Sequence, residues 1–229
     1  MATKEITTPL VSVIIPVLNG EKFIKRAIES VYAQNITPIQ IIVIDGGSTD
    51  NTLNIVSNLG DSIVVVHQQG KGLAKARNQS MDFAEGQYLV YLDSDDIIPP
   101  QSFERILSTF DEFPETEFVF GKMQHFFEQG AYKASLDEES YLTPVMGAGL
   151  FKMSAVKKLG YFIEELNPCE DMEWLHRAKT TLHVKTLEDI TLYKGRHENN
   201  LSSAGSFVYE SMVRSMKTII DRKRASNAN

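Results

Sequence analysis

Gln87-Tyr88-Leu89-Val90-Tyr91-Leu92-Asp93-Ser94-Asp95-Asp96 is an apolar run that ends in acids. Five apolar residues in succession suit a strand buried on both faces of a parallel sheet, and such a strand delivers its last residues to one sheet edge. Three carboxylates, Asp93, Asp95 and Asp96, arrive there together. At neutral pH anions this close repel one another, so protons are taken up unless a cation compensates, and a divalent metal with oxygen ligands is the expected compensator. The alternative is a helix start, because Asp and Ser also cap helices and Pro99 follows closely.

Upstream the same pattern repeats. The run VSVIIPV at 11–17 reads as a buried strand, Asn19-Gly20 as a turn, and 21–34 as a helix. In that helix Phe23, Ala27, Val31 and Ile24, Ile28, Tyr32 recur every four positions. A second β-branched run at 39–44 ends in Asp45-Gly46-Gly47-Ser48-Thr49-Asp50 and precedes a helix at 51–59. A strand at 62–67, a loop at 68–70 and a helix at 72–85 complete the approach to the acidic strand. Strands alternating with helices through short loops imply an α/β fold, a Rossmann-like and mostly parallel sheet with helices on both faces. Ligands of such sheets gather outside the C-terminal strand ends, which here carry 16–19, 45–50, 68–72 and 93–96.

Downstream the rhythm changes to a smaller mixed region. A helix at 100–113 is followed by strands at 117–124 and 126–133 joined around Gly130, and by an acidic run at 137–139 that reads as a solvated loop. An element at 145–151 and a short helix at 154–159 follow, then a helix that opens at Glu170-Asp171. Two short strands, 182–187 and 190–194, lead into Arg196-His197-Glu198-Asn199-Asn200. A last helix, 207–222, places Phe207, Val208, Met212, Val213, Met216, Ile219 and Ile220 largely on one side, with Arg214, Lys217, Arg222, Lys223 and Arg224 elsewhere. Such a face packs on its own domain, meets an anionic membrane or forms a homodimer contact. Residues 1–9 form a polar lead-in, and no linker divides the chain into separate domains.

The totals narrow the function classes. A chain of 229 residues with 42% apolar composition buries a substantial core, and its net charge of −7 argues against a nucleic-acid partner. The single cysteine, Cys169, forms no intrachain disulfide and is read as a packed thiol. No run approaches the roughly 18 apolar residues of a membrane span, and no signal-peptide pattern opens the chain, so a cytoplasmic location is expected.

Certain side chains carry candidate chemistry. Asp45 precedes two glycines that let the backbone approach a flat ring or a ribose, or it belongs to a plain turn in which Ser48 or Asp50 caps the next helix. Arg77 either makes a surface pair or points toward phosphate oxygens. Asp171, with Trp174 and Arg177 three and six residues on, suits a general base beside a stacking platform for a pyranose, or else a helix start with a core tryptophan. His197 follows a strand and offers a late metal ligand, whereas His67, His125, His176 and His183 are read as structural.

Five stretches together resemble the family 2 inverting glycosyltransferases, enzymes of the GT-A fold that use nucleotide sugars. They are VSVIIPVLNGEKFIKRAIESVYAQ at 11–34, IIVIDGGSTDNT at 41–52, GLAKARNQSMDFAEGQYLVYLDSDD at 72–96, VMGAGLFKMSAVKKLGYF at 145–162 and CEDMEWLHRA at 169–178. The resemblance implies a donor-binding half at about 10–120, an acceptor-side half at about 121–200 and a C-terminal amphipathic helix at about 205–223. It lines the nucleotide-sugar site with Pro16, Val17, Asn19, Asp45, Gly46, Lys71, Arg77, Asp93 and Ser94, and places Mn²⁺ or Mg²⁺ on Asp95, with Asp93, Asp96 and His197 as further ligands. Asp171 of the Glu170-Asp171 pair becomes the general base, and Trp174 and Arg177 meet the acceptor, a saccharide or a lipid-linked one at the membrane's inner face. Several members have two successive acids where this chain has Asp45-Gly46, which leaves the base of the donor open. Two other functions fit part of the pattern. One is a nucleotide-sugar-binding protein without turnover. The other is an aspartyl-nucleophile phosphohydrolase, for which Lys122 and Glu170-Asp171 are partial candidates.

Overall fold

The computed structural model describes residues 8–129, 133–197 and 205–226. Its first half is β1 Val11–Val17, α1 Ile24–Tyr32, β2 Ile39–Asp45, α2 Thr52–Leu59, β3 Val64–His67, α3 Leu73–Ser80 and β4 Tyr88–Tyr91. Its second half is α4 Ser102–Glu112, β5 Phe118–Gln129, β6 Lys133–Tyr141, β7 Gly149–Lys152, α5 Met153–Leu159, a 3₁₀ turn Glu164–Leu166, α6 Glu170–Thr181, β8 Val184–Arg196 and α7 Gly205–Ser226.

One eight-stranded sheet runs β3-β2-β1-β4-β7-β5-β6, with β8 paired to β5. The β3, β2, β1 and β4 strands are mutually parallel, as the alternating pattern implies. All seven residues of β1 are buried, so both of its faces need cover. The two-residue period then divides the side chains between two cores. Val13, Ile15, Val43 and Val90 join Ile28 of α1, Val56 of α2 and Phe103 of α4 on one face. Ile14, Ile42, Leu89 and Tyr91 join Ala76 of α3, Val156 of α5 and Trp174 of α6 on the other.

The second half departs from the sequence reading in three places. The acidic run 137–139 lies in β6 instead of a loop: it fills the register shift between Leu136 and Ser140, both paired to β5, with Asp137 half-buried and Glu138 and Glu139 exposed. The two short strands after α6 are one strand, β8, in which register shifts opposite Phe120 to Met123 absorb the polar Glu188-Asp189 step. The helix expected at 72–85 ends at Ser80, after which 81–84 turn tightly.

Of the sequence expectations, the lead-in at 1–7, Gly130 and Glu198 to Asn200 lie outside the described residues, as do the side chains of Phe207, Val208 and Lys223. In α7 the inward face is small and polar: Ser211 and Ser215 donate to the carbonyls of Asn167 and Cys169, and Arg222 pairs with Glu173. Met212, Val213, Met216 and Ile220 stay exposed, each by more than a third. Self-packing therefore does not bury the apolar stripe.

Candidate active site

Asp93, Asp95 and Asp96 leave β4 at its C-terminal end, and one carboxylate oxygen from each lies within 4.8 Å of the others. They are not helix caps, because α4 starts six residues later behind Gln101 and has no side-chain cap. Part of the compensating charge comes from the protein itself. Lys194 of β8 places Nζ 3.4 Å from Asp93 Oδ2 and 3.3 Å from Asp96 Oδ2, and Arg77 of α3 donates to Asp93 Oδ1 at 3.0 Å. Burial alone would raise the Asp93 carboxyl, yet Lys194 and Arg77 outweigh it and hold it below the usual carboxylate range. Asp96 goes the other way: burial, with repulsion from Asp93 and Asp95, pushes it up to about 7 against the pull of Lys194 and the Gly195 amide. Lys194 is held charged well above the ordinary lysine range; burial opposes this, but Asp96 and Asp93 prevail. The sequence reading missed Lys194, whose only signal was a cation at the end of an apolar-patterned strand.

The end of β8 clamps the acidic loop from below. Gly195 donates its amide to Asp96 Oδ1 at 2.9 Å, and Ile97 and Tyr193 exchange backbone hydrogen bonds. A Cβ on Gly195 would stand 2.4 Å from the Asp95 carbonyl oxygen, so only glycine permits this approach. His197 Nε2 lies 3.0 Å from Asp95 Oδ2, its ring stacked on Phe23, and Arg26 of α1 donates to the Asp95 carbonyl. Carboxylate oxygens such as those of Asp93, Asp95 and Asp96 are the donors that suit Mn²⁺ or Mg²⁺, and the imidazole beside them is a softer one. Asp95 and His197 form the edge of such a set, with Asp93 beside them. Asp96, 1% exposed and bonded to Gly195 and Lys194, is turned inward.

Arg77 links this loop to the start of α6. Its Nη1 meets Glu170 Oε1 at 2.6 Å while Nη2 holds Asp93, and both Arg77 and Glu170 are buried. Burial raises the Glu170 carboxyl, with Arg77 pulling it back and Asp171 adding to the rise. Arg77 is therefore an internal tie and not a surface pair, and it points to no open phosphate site in this structure. Glu170, named in sequence as part of a catalytic pair, is sealed in the interior; Asp171, the next residue, is only half-buried, with Oδ1 accepting the Met172 amide.

The expected acceptor platform is not on the surface. Trp174 is fully buried, packed against Phe162, Phe151 and Tyr91, and donates its indole N–H to the Gly160 carbonyl, so no pyranose reaches its face. Arg177 is occupied by Glu173 and by the Leu159 and Tyr161 carbonyls. Both side chains fix α6 to the α5 connection, the physical reason they leave the acceptor side.

The loops after β1 and β2 are joined to each other. Gly46 donates to the Val17 carbonyl, Asn19 accepts from Thr49 N–H, and Ser48 Oγ accepts the Asn19 amide. Pro16 and Val17 are buried in β1. Asp45 is 1% exposed, and its oxygens accept the amides of Gly47 and Ser48. Its carboxylate thus first organises its own turn, while Asp50 accepts from Thr52 at the start of α2. Ser94 is half-buried in the acidic loop, and Lys71 is exposed ahead of α3.

Comparison with known proteins gives the family and the fold. The family described as "Glycosyl transferase family 2" matches residues 12–161, well over half of the chain. An uncharacterized glycosyltransferase of Nostoc is 28% identical, covering 91% of this chain and 72% of its own length. The chondroitin synthase of Pasteurella multocida is 34% identical over 85% of this chain, which spans only 21% of that larger protein. The crystal structure of S. aureus TarS 1-349 in complex with UDP superposes with a TM-score of 0.73 at 25% identity, covering 91% of this chain and 64% of that one. The match favours the transferase family over a phosphohydrolase: the chain belongs to glycosyl transferase family 2 and has the GT-A fold.

Proposed function

We propose that the protein moves a sugar from a nucleoside diphosphate sugar to an acceptor hydroxyl with inversion, aided by Mn²⁺ or Mg²⁺, in assembly of a surface polysaccharide or glycolipid. The observation that carries this reading is the Arg77 tie, which connects Asp93 of the acidic loop to Glu170, one residue before Asp171. TarS supports the donor class, since its complex holds UDP.

Asp95 and His197, with Asp93, are the side chains that would hold the ion. When bound, it would offset charge on the departing diphosphate, an effect of several kcal/mol. Asp171 takes the proton of the acceptor hydroxyl as that oxygen bonds to the anomeric carbon. The carbon–oxygen bond to the diphosphate breaks with its electron pair leaving on phosphate. Attack from the face opposite the leaving group inverts the centre. Glu170 and Arg77 hold the first turn of α6 against the acidic loop, so the base stays in place. The exposed Met212, Val213, Met216 and Ile220, flanked by Arg214 and Lys217, suit contact with an anionic lipid surface that carries the acceptor.

A melting screen with UDP and GDP, with and without Mn²⁺, tests the reading, because a ligand of the native form raises stability by RT ln(1 + [L]/Kd). One nucleoside diphosphate is expected to stabilise the protein in an Mn²⁺-dependent way, and Asp95→Ala to abolish the Mn²⁺ dependence. Asp171→Asn should retain that shift and lose about 10²–10⁴-fold in transfer. No stabilisation by either nucleotide, or undiminished transfer by Asp171→Asn, overturns it.

A further inference from the structure

Met123, His125 and Phe127 of β5, Asp137 and Tyr141 of β6, and Arg196 of β8 line an open hollow of about 470 Å³. That volume falls within the span of small-molecule sites. Its position follows from strand register. His125 is level with Lys194 and Phe127 with Arg196, and residues two apart in a strand share one face about 7 Å apart. Lys194 grips Asp93 and Asp96, so the hollow opens one strand step from the acidic loop.

The lining has the two characters that a sugar ring requires. Phe127 and Tyr141 are 40% and 39% exposed, aromatic faces left open where burial would be expected. Arg196 lies 3.3 Å from both ring nitrogens of His125, which burial and the Arg196 charge hold neutral by lowering its pKa. Among the described residues Arg196 makes no ion pair, though it lines the hollow together with Asp137. Asp137, half-buried on β6, adds an acceptor across the hollow.

We propose that this hollow is the subsite for the acceptor saccharide, with its C–H face on Phe127 and Tyr141 and its hydroxyls bonded by Arg196 and Asp137. The assignment rests on the glycosyl-transfer reading above, which names an acceptor but no place for it. It also supplies what the buried Trp174 and the Arg177 tied to Glu173 and two carbonyls do not.

The test uses the full chain labelled with ¹³C-methyl methionine, the Met123 signal being assigned by Met123→Leu. The probes are methyl glycosides of a neutral hexose, an N-acetylhexosamine and a uronic acid, titrated alongside UDP and GDP melting shifts. At least one glycoside is expected to move the Met123 methyl. Arg196→Ala should weaken that binding about tenfold or more, the change expected for one charge-assisted hydrogen bond, and leave the nucleotide shift intact. Asp137→Asn is the second variant, with the same direction, should Arg196→Ala fold poorly. A silent Met123 methyl with all three glycosides, or unchanged affinity in the variants, overturns the subsite. Loss of nucleotide stabilisation with a responsive Met123 methyl sinks the transfer reading and leaves the saccharide site standing.

Discussion

Replacing Arg77 by methionine keeps most of the side-chain volume and removes the one cation that Glu170 and Asp93 share. Arg77 and Glu170 are 2% and 0% exposed at the side chain, so water does not replace the lost partner. Removing one member of a buried pair costs about 3–5 kcal/mol, because an uncompensated charge is left behind. At about 2–4 °C per kcal/mol for a domain of this size, the melting temperature should fall by about 6–20 °C. Glu170→Gln should cost less, since it leaves Arg77 paired with Asp93 and strands no charge. The loss should also depend on pH. In the variant Glu170 escapes by taking a proton, its folded carboxyl rising further above the ordinary unfolded value. A raised acid pKa penalises the fold increasingly as pH climbs from the unfolded value toward the folded one. Asp93, held low by Lys194 and Arg77 in the parent, contributes stability that disappears as pH falls. The Glu170 effect narrows the gap between parent and variant from pH 7 toward pH 5, and the Asp93 effect narrows it further only once the pH falls below the ordinary carboxylate value. Urea unfolding with an unchanged slope is the assay. A loss under about 1 kcal/mol at pH 7, or a gap that widens on acidification, refutes the reasoning.

Gly195→Ala should destabilise by about 1–3 kcal/mol, as overpacked sites do, and abolish Mn²⁺-dependent nucleotide stabilisation, because a Cβ would stand 2.4 Å from the Asp95 carbonyl; thermal melts with and without Mn²⁺ read both. Lys194→Met should lower metal-free stability and enlarge the Mn²⁺-induced shift, since a competitor for the Asp93 and Asp96 charge is gone; an equal shift in parent and variant counts against the shared-charge account. Met212→Asp with Met216→Asp should leave the melting temperature within a few degrees while reducing flotation with anionic vesicles, because both side chains are exposed.

The first four strands were legible because burial on both faces leaves an unbroken apolar run, and β1 is buried at every residue. The mixed half was harder, since β8 hides a register shift behind Glu188-Asp189 that periodicity reads as a turn. At α6 the signal existed and was overlooked. Glu170, Trp174 and Ala178 are spaced by four and form one stripe, which is the buried one, whereas Asp171 falls on the neighbouring face. That stripe alone assigns Glu170 and Trp174 to the interior and leaves Asp171 as the accessible acid. Lys194 was illegible for a different reason: its partners lie about a hundred residues earlier, and no local pattern encodes a charge pair across a sheet.

The last residues of β8 show how such distant parts become one site. Lys194 grips Asp93 and Asp96, Gly195 donates to Asp96, Arg196 lies on His125, and His197 meets Asp95. Residues two apart on a strand share one face about 7 Å apart, so Lys194 and Arg196 span from the acidic loop to the β5–β6 hollow, while Gly195 and His197 also meet the loop. The β8–β5 ladder, parallel and long, fixes their spacing. Residues of the first half therefore supply the carboxylates, but the second half sets their charge and their geometry. A chain cut before β8 would keep the Asp-Ser-Asp-Asp sequence and lose Lys194, Gly195 and His197, the groups that hold those carboxylates together.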